Sequence, residues 1–294
     1  MKNKKNIAGY VFVLPAVFYM LIFIGYPILY NGIISFQEAT AYTIGAGNRK
    51  FIAFQNFRAI FADPIFHHAF RNTFVYTVGC LILQFSLGFL FALFFAKKFT
   101  LAKPIRGLVI ISWMLPVTVT ALVFKFMFAK DAGIINTILM NIGIIRSPLG
   151  WLLEGRSAMW VLIIANSWVG IPFNMLLLTT GLNNIPKVTY EAAAIDGANK
   201  WKQFIHVTLP LLKSTILSTL ILGFVLTFKV FDLVYVMTNG GPVDSTEVLS
   251  TYSYKLSFKQ FEFGQGAATA CILFICLFVV ALLYLRTISK SEEM

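Results

Sequence analysis

Charge is scarce in this 294-residue chain: Asp, Glu, Lys and Arg together make up 12% of it, against the roughly 25% typical of soluble domains. An ordinary water-soluble enzyme is thereby excluded, because a folded surface must be covered by groups that water solvates. Cysteine is scarce too. Cys80, Cys271 and Cys276 all lie inside apolar segments, and Cys271 and Cys276, five apart, point to different faces of a helix. The three read as small packing residues rather than a disulfide framework. Of the three histidines, His67 and His68 are adjacent and diverge by about 100° on a helix. They read as a solvated pair, not a metal site, and His206 as a packing or surface residue. No Gly-x-x-x-x-Gly-Lys-Ser/Thr phosphate loop occurs. The glycine-rich run Gly45-Ala46-Gly47-Asn48-Arg49-Lys50 follows no strand and reads as a flexible loop.

What the chain does contain is apolar residue in long runs: 58% hydrophobic residues, 30 of them Phe, and a mean hydropathy of +0.78. About 20 apolar residues at 1.5 Å per residue cross a hydrocarbon core of about 30 Å, and a spanning backbone must satisfy its own amides, which selects helices. The fold class expected is an all-α polytopic membrane protein with six transmembrane helices, at 8–36, 71–96, 107–129, 158–180, 214–238 and 265–286. The apolar run after Met1-Lys2-Asn3-Lys4-Lys5 continues to about Phe36 without a small-residue cleavage site, so it is expected to stay as a first anchor.

The net charge of +12 raises the prospect of a nucleic-acid binder, but the basic residues sit in short stretches between apolar runs, as topogenic charges do. No nucleic-acid partner is expected. One set of loops and termini holds 13 basic residues (Lys2, Lys4, Lys5, Lys97, Lys98, Lys103, Arg106, Lys187, Lys200, Lys202, Lys213, Arg286 and Lys290) against four acids, Glu191, Asp196, Glu292 and Glu293. The opposite loops hold nine basic residues balanced by seven acids. The positive-inside rule then places both termini in the cytoplasm. Residues 1–70 form an N-terminal anchor and first outer loop, and 71–290 the main transmembrane domain.

One internal loop, 97–106, is a tight basic turn, whereas the other, 181–213, is about 33 residues long and must be structured. Asn184 can cap a helix that Pro186 begins. Tyr190-Glu191-Ala192-Ala193-Ala194-Ile195 favours helix, and Gly197 after Asp196 closes it, since glycine accepts the left-handed C′ conformation. A second short amphipathic helix is expected over Asn199–Val207, with Trp201, Phe204 and Ile205 on its apolar face, before Leu209-Pro210 leads into the fifth span.

This loop resembles the cytoplasmic signature loop of binding-protein-dependent ABC importer permeases, in which Glu-Ala-Ala is followed by a Gly four residues after the second Ala and later by Ile-x-Leu-Pro. Here it reads Glu191-Ala192-Ala193, Gly197 and Val207-Thr208-Leu209-Pro210, with Val207 for Ile as a departure. Lys213-Ser214 also stands where the family usually has a further Pro. The flanks resemble the carbohydrate branch, the maltose, multiple-sugar and glycerol-phosphate permeases. They are Trp168-Val169-Gly170-Ile171-Pro172-Phe173, Asp196-Gly197-Ala198, Phe231-Asp232 and Met237-Thr238-Asn239-Gly240-Gly241-Pro242. The likeness covers about residues 70–290, with a less specific first span.

The resemblance implies an ABC type I importer permease-like fold in a bacterial plasma membrane, and a chain that is not itself an enzyme. It implies a second homologous permease subunit, two cytoplasmic ABC ATPase subunits carrying ATP and Mg, and an extracellular solute-binding protein. This chain would bind no cofactor and no metal. Glu191, Ala192, Ala193, Asp196, Gly197, Leu209 and Pro210 would form the ATPase-coupling loop. The cargo would be a mono-, di- or oligosaccharide, or a sugar or glycerol phosphate.

Polar groups inside spans are costly and mark candidate transport paths. Lys229 and Asp232, three apart, are expected to pair on one face of span five. On span four Asn166, Gly170 and Asn174 recur every four residues beside Trp168 and Phe173, and Pro172 should kink the helix and free a carbonyl. Tyr235 and Asn239 lie nearer the outer end, and Lys125 is expected to reach the interface. For each, a structural role, amide glue between helices above all, stands beside the substrate-contacting one. The outward segment 239–264 offers a surface for a solute-binding protein or a re-entrant packing element. An ion-coupled secondary sugar transporter, with Lys229 and Asp232 as the coupling pair, and an ABC permease for a non-sugar solute are the alternatives.

Overall fold

The computed structural model describes residues 2–47, 49–97 and 100–292, with side chains from 10 to 286. Lys98, Glu293 and the side chains of Lys2, Lys4, Lys5, Lys290 and Glu292, which enter the charge reading, lie outside the described residues, as does Asn48. The described elements are helical. They are α1 (Lys2–Met20), α2 (Tyr26–Ser35), α3 (Ala41–Gly45), α4 (Gln55–Ala62), α5 (Pro64–Phe95), α6 (Ala102–Met114), α7 (Val117–Met127), α8 (Ile134–Asn141) and α9 (Gly155–Asn183). Then come α10 (Lys187–Ile195), α11 (Lys200–Gln203), α12 (Leu209–Phe228), α13 (Asp232–Met237), α14 (Leu249–Tyr254) and α15 (Phe263–Glu292).

Five helical stretches are long and apolar enough to cross a membrane: Tyr10–Ser35, Pro64–Ala96, Gly155–Asn183, Lys200–Phe228 and Phe263–Arg286. The sixth expected span is not straight. α6 and α7 together pass the same test but meet at 95°, because Pro116 excludes the α conformation from Leu115, whose ψ is 141°, and itself cannot continue the amide ladder. Two other prolines are absorbed without a break. Leu21–Gly25 and Phe204–Thr208 are π-helical turns, and each ends two residues before a proline, Pro27 and Pro210, so the widened ladder carries the helix past the missing N–H.

The fifth span also departs from expectation at both ends. It begins at Lys200, so the expected second amphipathic helix is the continuous start of the span, and it ends at Phe228 rather than 238. Lys229 is a C-cap, Val230 N–H turns back to Thr227 O at 3.1 Å, and Phe231 leaves the helical region at φ −131°.

The chain divides into two compact units, Met1–Phe66 with Tyr252–Phe274, and His67–Thr251 with Ile275–Met294. In the first, the amide of Asn56 donates to the Ser35 and Gln37 carbonyls, both at 2.9 Å, and Tyr252 Oη donates to Asp63 Oδ2 at 2.5 Å. Thr40 and Thr43 form a reciprocal capping box at α3. In the second unit, Tyr76 and Cys80 of α5, Phe124 of α7, Leu162 of α9 and Leu233 and Val234 of α13 share one apolar core.

Candidate functional site

The loop after α9 is built by short-range capping. Asn184 closes α9, its N–H reaching back to Thr180 and Gly181 O, and does not cap the next helix; Pro186 holds the N-cap position of α10 with extended backbone. The helix thus starts one residue later than expected, because a proline before the first turn needs only a free carbonyl, and Pro186 O receives Thr189 N–H at 3.2 Å. α10 ends in a Schellman motif: Gly197 N–H bonds to Ala194 O at 3.0 Å and Ala198 N–H to Ala193 O at 2.9 Å, with Gly197 at φ +78°. Nothing lies within 4 Å of a Cβ built on Gly197. The glycine is therefore required by backbone conformation and not by crowding. Asn199 Oδ1 then caps α11 by accepting from Lys202 N–H at 2.9 Å.

What this loop exposes is unusual. Val188 is 66% exposed, Ile195 86% and Trp201 68%, in a stretch that also carries Lys187, Glu191, Asp196, Lys200 and Lys202. Glu191, Ala192, Asp196, Gly197 and Pro210 are exposed, Ala193 and Leu209 half-buried. One side-chain bond ties the projecting helix to its base: Tyr190 Oη and Thr208 Oγ1 are 2.9 Å apart. Phe204 turns inward and meets Phe89 of α5.

The polar stripe of span four lies at a seam with α5. A Cβ on Gly88 of α5 would stand 2.6 Å from Asn174 Cβ, 3.1 Å from Met175 N and 3.2 Å from Ile171 O, and a Cβ on Gly170 would overlap the Gln84 carboxamide. Gln84 is only 3% exposed and donates to Asn166 O at 3.2 Å. Asn174 is 1% exposed, its amide bonding Gly170 O at 2.9 Å while Oδ1 is buried without a partner. Pro172 interrupts the amide ladder inside an unbroken helix, and the carbonyl it frees, Trp168 O, is approached by Ser112 Oγ of α6 at 3.4 Å. The Trp168 ring is partly exposed against Phe124, and Phe173 meets Trp113.

The expected pairing of Lys229 with Asp232 is absent: the helix breaks between them, so they share no helical face, and no ion pair joins them among the described residues. Both are exposed. Tyr235 stacks on Phe231 with ring centroids 5.1 Å apart, and Asn239 adopts φ +51°. Lys125 makes a contact within the protein. Its Nζ donates at 3.1 Å to Val236 O, a carbonyl in the last turn of α13 that the helix leaves free. Beyond α13, Thr246 Oγ1 donates to Gly241 O at 2.6 Å and lies 2.8 Å from Thr238 Oγ1. Asn72 Nδ2 donates to Ser245 O and Glu247 O, fastening this turn to α5.

Sequence reasoning missed Gln84 and Ser112, although the rule that singled out Asn166 and Asn174, a polar group inside an apolar span, applies to both. It also missed Asn136, whose carboxamide receives Trp151 Nε1 at 2.8 Å and donates to Lys130 O and Leu149 O, both at 2.9 Å, ordering the loop after α7. Among the described residues no group of three or more His, Cys, Asp or Glu is arranged to hold a metal ion. His67 and His68 are both exposed.

Comparison with known proteins addresses the family directly. The chain is 33% identical to the arabinooligosaccharides transport system permease protein AraP of Bacillus subtilis (strain 168), over 96% of this chain and 88% of that one. It is 32% identical to the lactose transport system permease protein LacF of Rhizobium radiobacter, over 100% and 97%. The fold matches a chain in a crystal structure of a bacterial alginate ABC transporter in complex with an alginate pentasaccharide-bound periplasmic protein. The TM-score is 0.81 at 21% identity, covering 96% of this chain and 93% of that one. The family model for binding-protein-dependent transport system inner membrane components matches residues 84–290, well over half of the chain and including both the α10 loop and the α9 seam. With its multiple apolar spans, this chain is a multi-pass inner-membrane permease subunit, separate from any ATPase, and belongs to the family of binding-protein-dependent transport system inner membrane components.

Proposed function

We propose that this permease imports a sugar by alternating access, with ATP and Mg bound on two partner ATPase subunits and the α10 loop as the lever between them. The observation that carries the reading is the exposure of Val188, Ile195 and Trp201 around Glu191, on a loop whose charges exclude it from the hydrocarbon core. Apolar side chains standing among charges at a projecting helix fit a groove on a protein partner. The Glu191 carboxylate supplies a charge-assisted bond to a basic residue there. Both termini and this loop then face the cytoplasm, a second permease completes the cavity, and an extracellular solute-binding protein delivers the cargo.

The sugar reading rests on the carbohydrate-type flanks and on the names of the relatives, one a lactose and the other an arabinooligosaccharide permease. Trp168 and Phe173 provide faces for sugar C–H groups, and Lys229, Asp232 and Tyr235 hydroxyl partners. Asn166 and Asn174 seat this face of α9 against α5, where Gln84 donates to Asn166 O at 3.2 Å.

The test is co-purification in mild detergent, ATPase assay and sugar uptake, with Glu191→Lys and Gly197→Pro. Recovery of a nucleotide-binding subunit and a second permease is expected, with both variants inserted at normal level and uptake at least about 10-fold lower, as loss of a charge-assisted bond implies. Unaltered uptake, or a chain that purifies alone and transports on an ion gradient, overturns the reading.

A further inference from the structure

At the end of the bundle where α9 runs into the α10 loop, a cavity of about 560 Å³ is lined by Phe95, Lys97, Thr100, Lys103, Arg106 and Asn183, together with two alanines. Three helix ends converge there. Lys97 follows the last turn of α5, Lys103 and Arg106 lie three apart on the first turns of α6, and Asn183 is the last residue of α9. Among the described residues no acidic side chain lines the cavity and none of the three cations is ion-paired. Three like charges around one cavity repel each other, so something anionic is the natural occupant.

Depth identifies its class. Beyond Arg106, α6 continues as Gly107-Leu108-Val109-Ile110-Ile111, and before Lys97, α5 ends as Leu90-Phe91-Ala92-Leu93-Phe94-Phe95. The cations therefore sit where the apolar runs begin, at the level of phosphodiesters, and Phe95 closes the cavity on the hydrocarbon side. Arg106 is half-buried and Lys97 and Lys103 are exposed. The guanidinium is thus the inner contact, suited to two phosphate oxygens at once, with the ammonium groups at the rim. Further along the apolar runs Leu108 is 67% exposed on α6 and Phe94 is 49% exposed on α5, offering apolar contact to acyl chains.

We propose that this cavity is a binding site for the phosphate headgroup of an anionic phospholipid in the leaflet on the α10 side, with Arg106 and Lys103 as the principal contacts and Lys97 as the rim charge. Such a lipid would pin the α5–α6 turn against the foot of α9, four residues before the α10 helix begins.

The full chain in neutral detergent, doped with phosphatidylglycerol or with phosphatidylcholine, would be examined by native mass spectrometry. Retention of one phosphatidylglycerol in preference to phosphatidylcholine is expected. The Lys103→Gln/Arg106→Gln double variant should bind it about 30-fold more weakly, from about a fivefold loss per basic residue near a headgroup surface. The charge-keeping Lys103→Arg/Arg106→Lys pair should hold most of the affinity and thereby separates a lost site from a misfolded protein. Inorganic phosphate in large molar excess is expected not to displace the lipid. Equal retention of the two lipids, equal retention by parent and double variant, or occupation by inorganic phosphate in place of lipid overturns the proposal. So does loss of a co-purifying protein subunit from the double variant with lipid retention unchanged, which would make the cluster a protein contact.

Discussion

Along the seam of α5 with α9, amide side chains are buried and helix backbones are in near contact; in the α10 loop, twenty residues on, apolar side chains stand in the open and nothing crowds the critical glycine. Both regions contain a glycine, an alanine or asparagine series and a proline, and in neither does the residue type announce which arrangement it serves. At the seam, glycine gives proximity: Gly88 lets the α9 backbone approach to within about van der Waals distance, and interhelical polar bonds are worth only about 0.6 kcal/mol each in bilayers. In the loop, Gly197 gives a left-handed cap at φ +78° with nothing packed against it. The seam is therefore where substitution should unfold the protein, and the loop where it should leave the protein folded and uncouple it.

That contrast is broken most strongly at Gly88. A methyl there meets Asn174 Cβ at 2.6 Å and two α9 backbone atoms at 3.1 and 3.2 Å, none of which can rotate away. Gly88→Ala should destabilise by about 1–3 kcal/mol, the range for overpacking a filled core, and Gly88→Leu should prevent recovery of folded protein. Thermal unfolding in detergent reads both. At Gly170 the obstacle is the Gln84 side chain, so Gly170→Ala should be milder and should be relieved by Gln84→Ala. Equal costs at the two glycines would show that the backbone contact does not set the packing distance.

How much of this was legible in the sequence follows the range of the interactions. The glycine end of α10 at Gly197 was readable because its donors and acceptors lie within six residues, whereas the cap expected at Asn184 fell instead to Pro186. The apolar runs placed the first, fourth and sixth expected spans within three residues at each end, but put the start of the second seven residues late and the fifth 14 residues late at its start and 10 at its end. The 95° turn at Pro116 and the smooth passage through Pro27 and Pro210 were not separable in advance. All three prolines sit in helical pattern, and only the π turns distinguish them. The break after Phe228 is similarly non-local, since Ser250, far along the chain, takes the Val230 carbonyl. With it went the expected Lys229–Asp232 pair, which had assumed an unbroken helix. Asn166 and Asn174 were found as polar residues in a span, but the partner that seats the stripe, Gln84, is 82 residues from Asn166.

The middle of the scale is Tyr190. Removing its hydroxyl with Tyr190→Phe deletes the one side-chain bond between α10 and Thr208, at a cost of about 1 kcal/mol. The apolar ring stays, so α10 should remain formed. The expected result is a small fall in unfolding temperature with a several-fold loss of uptake, and Thr208→Val should reproduce it without adding to it in the double variant. Additive losses would mean that the two residues act through separate contacts, and unchanged uptake that α10 needs no tether to its base.

The smallest effect tests whether a freed carbonyl is an asset. Pro172 cannot donate to Trp168 O, and Ser112 Oγ stands 3.4 Å from that oxygen while also 2.9 Å from Val109 O. One hydroxyl proton is shared between two acceptors, so Ser112→Ala should cost only about 0.6 kcal/mol. Pro172→Ala restores an N–H and satisfies Trp168 O within α9. In that background Ser112→Ala should cost less still, giving a coupling energy of a few tenths of a kcal/mol in a double-mutant cycle. If the loop is the lever and the seam the fixed frame, Pro172→Ala should stabilise the protein slightly and leave ATPase coupling intact. A Pro172→Ala variant that is stable but uncoupled would instead place the moving part in α9 itself, between Trp168 and Asn174, and would make the seam a hinge.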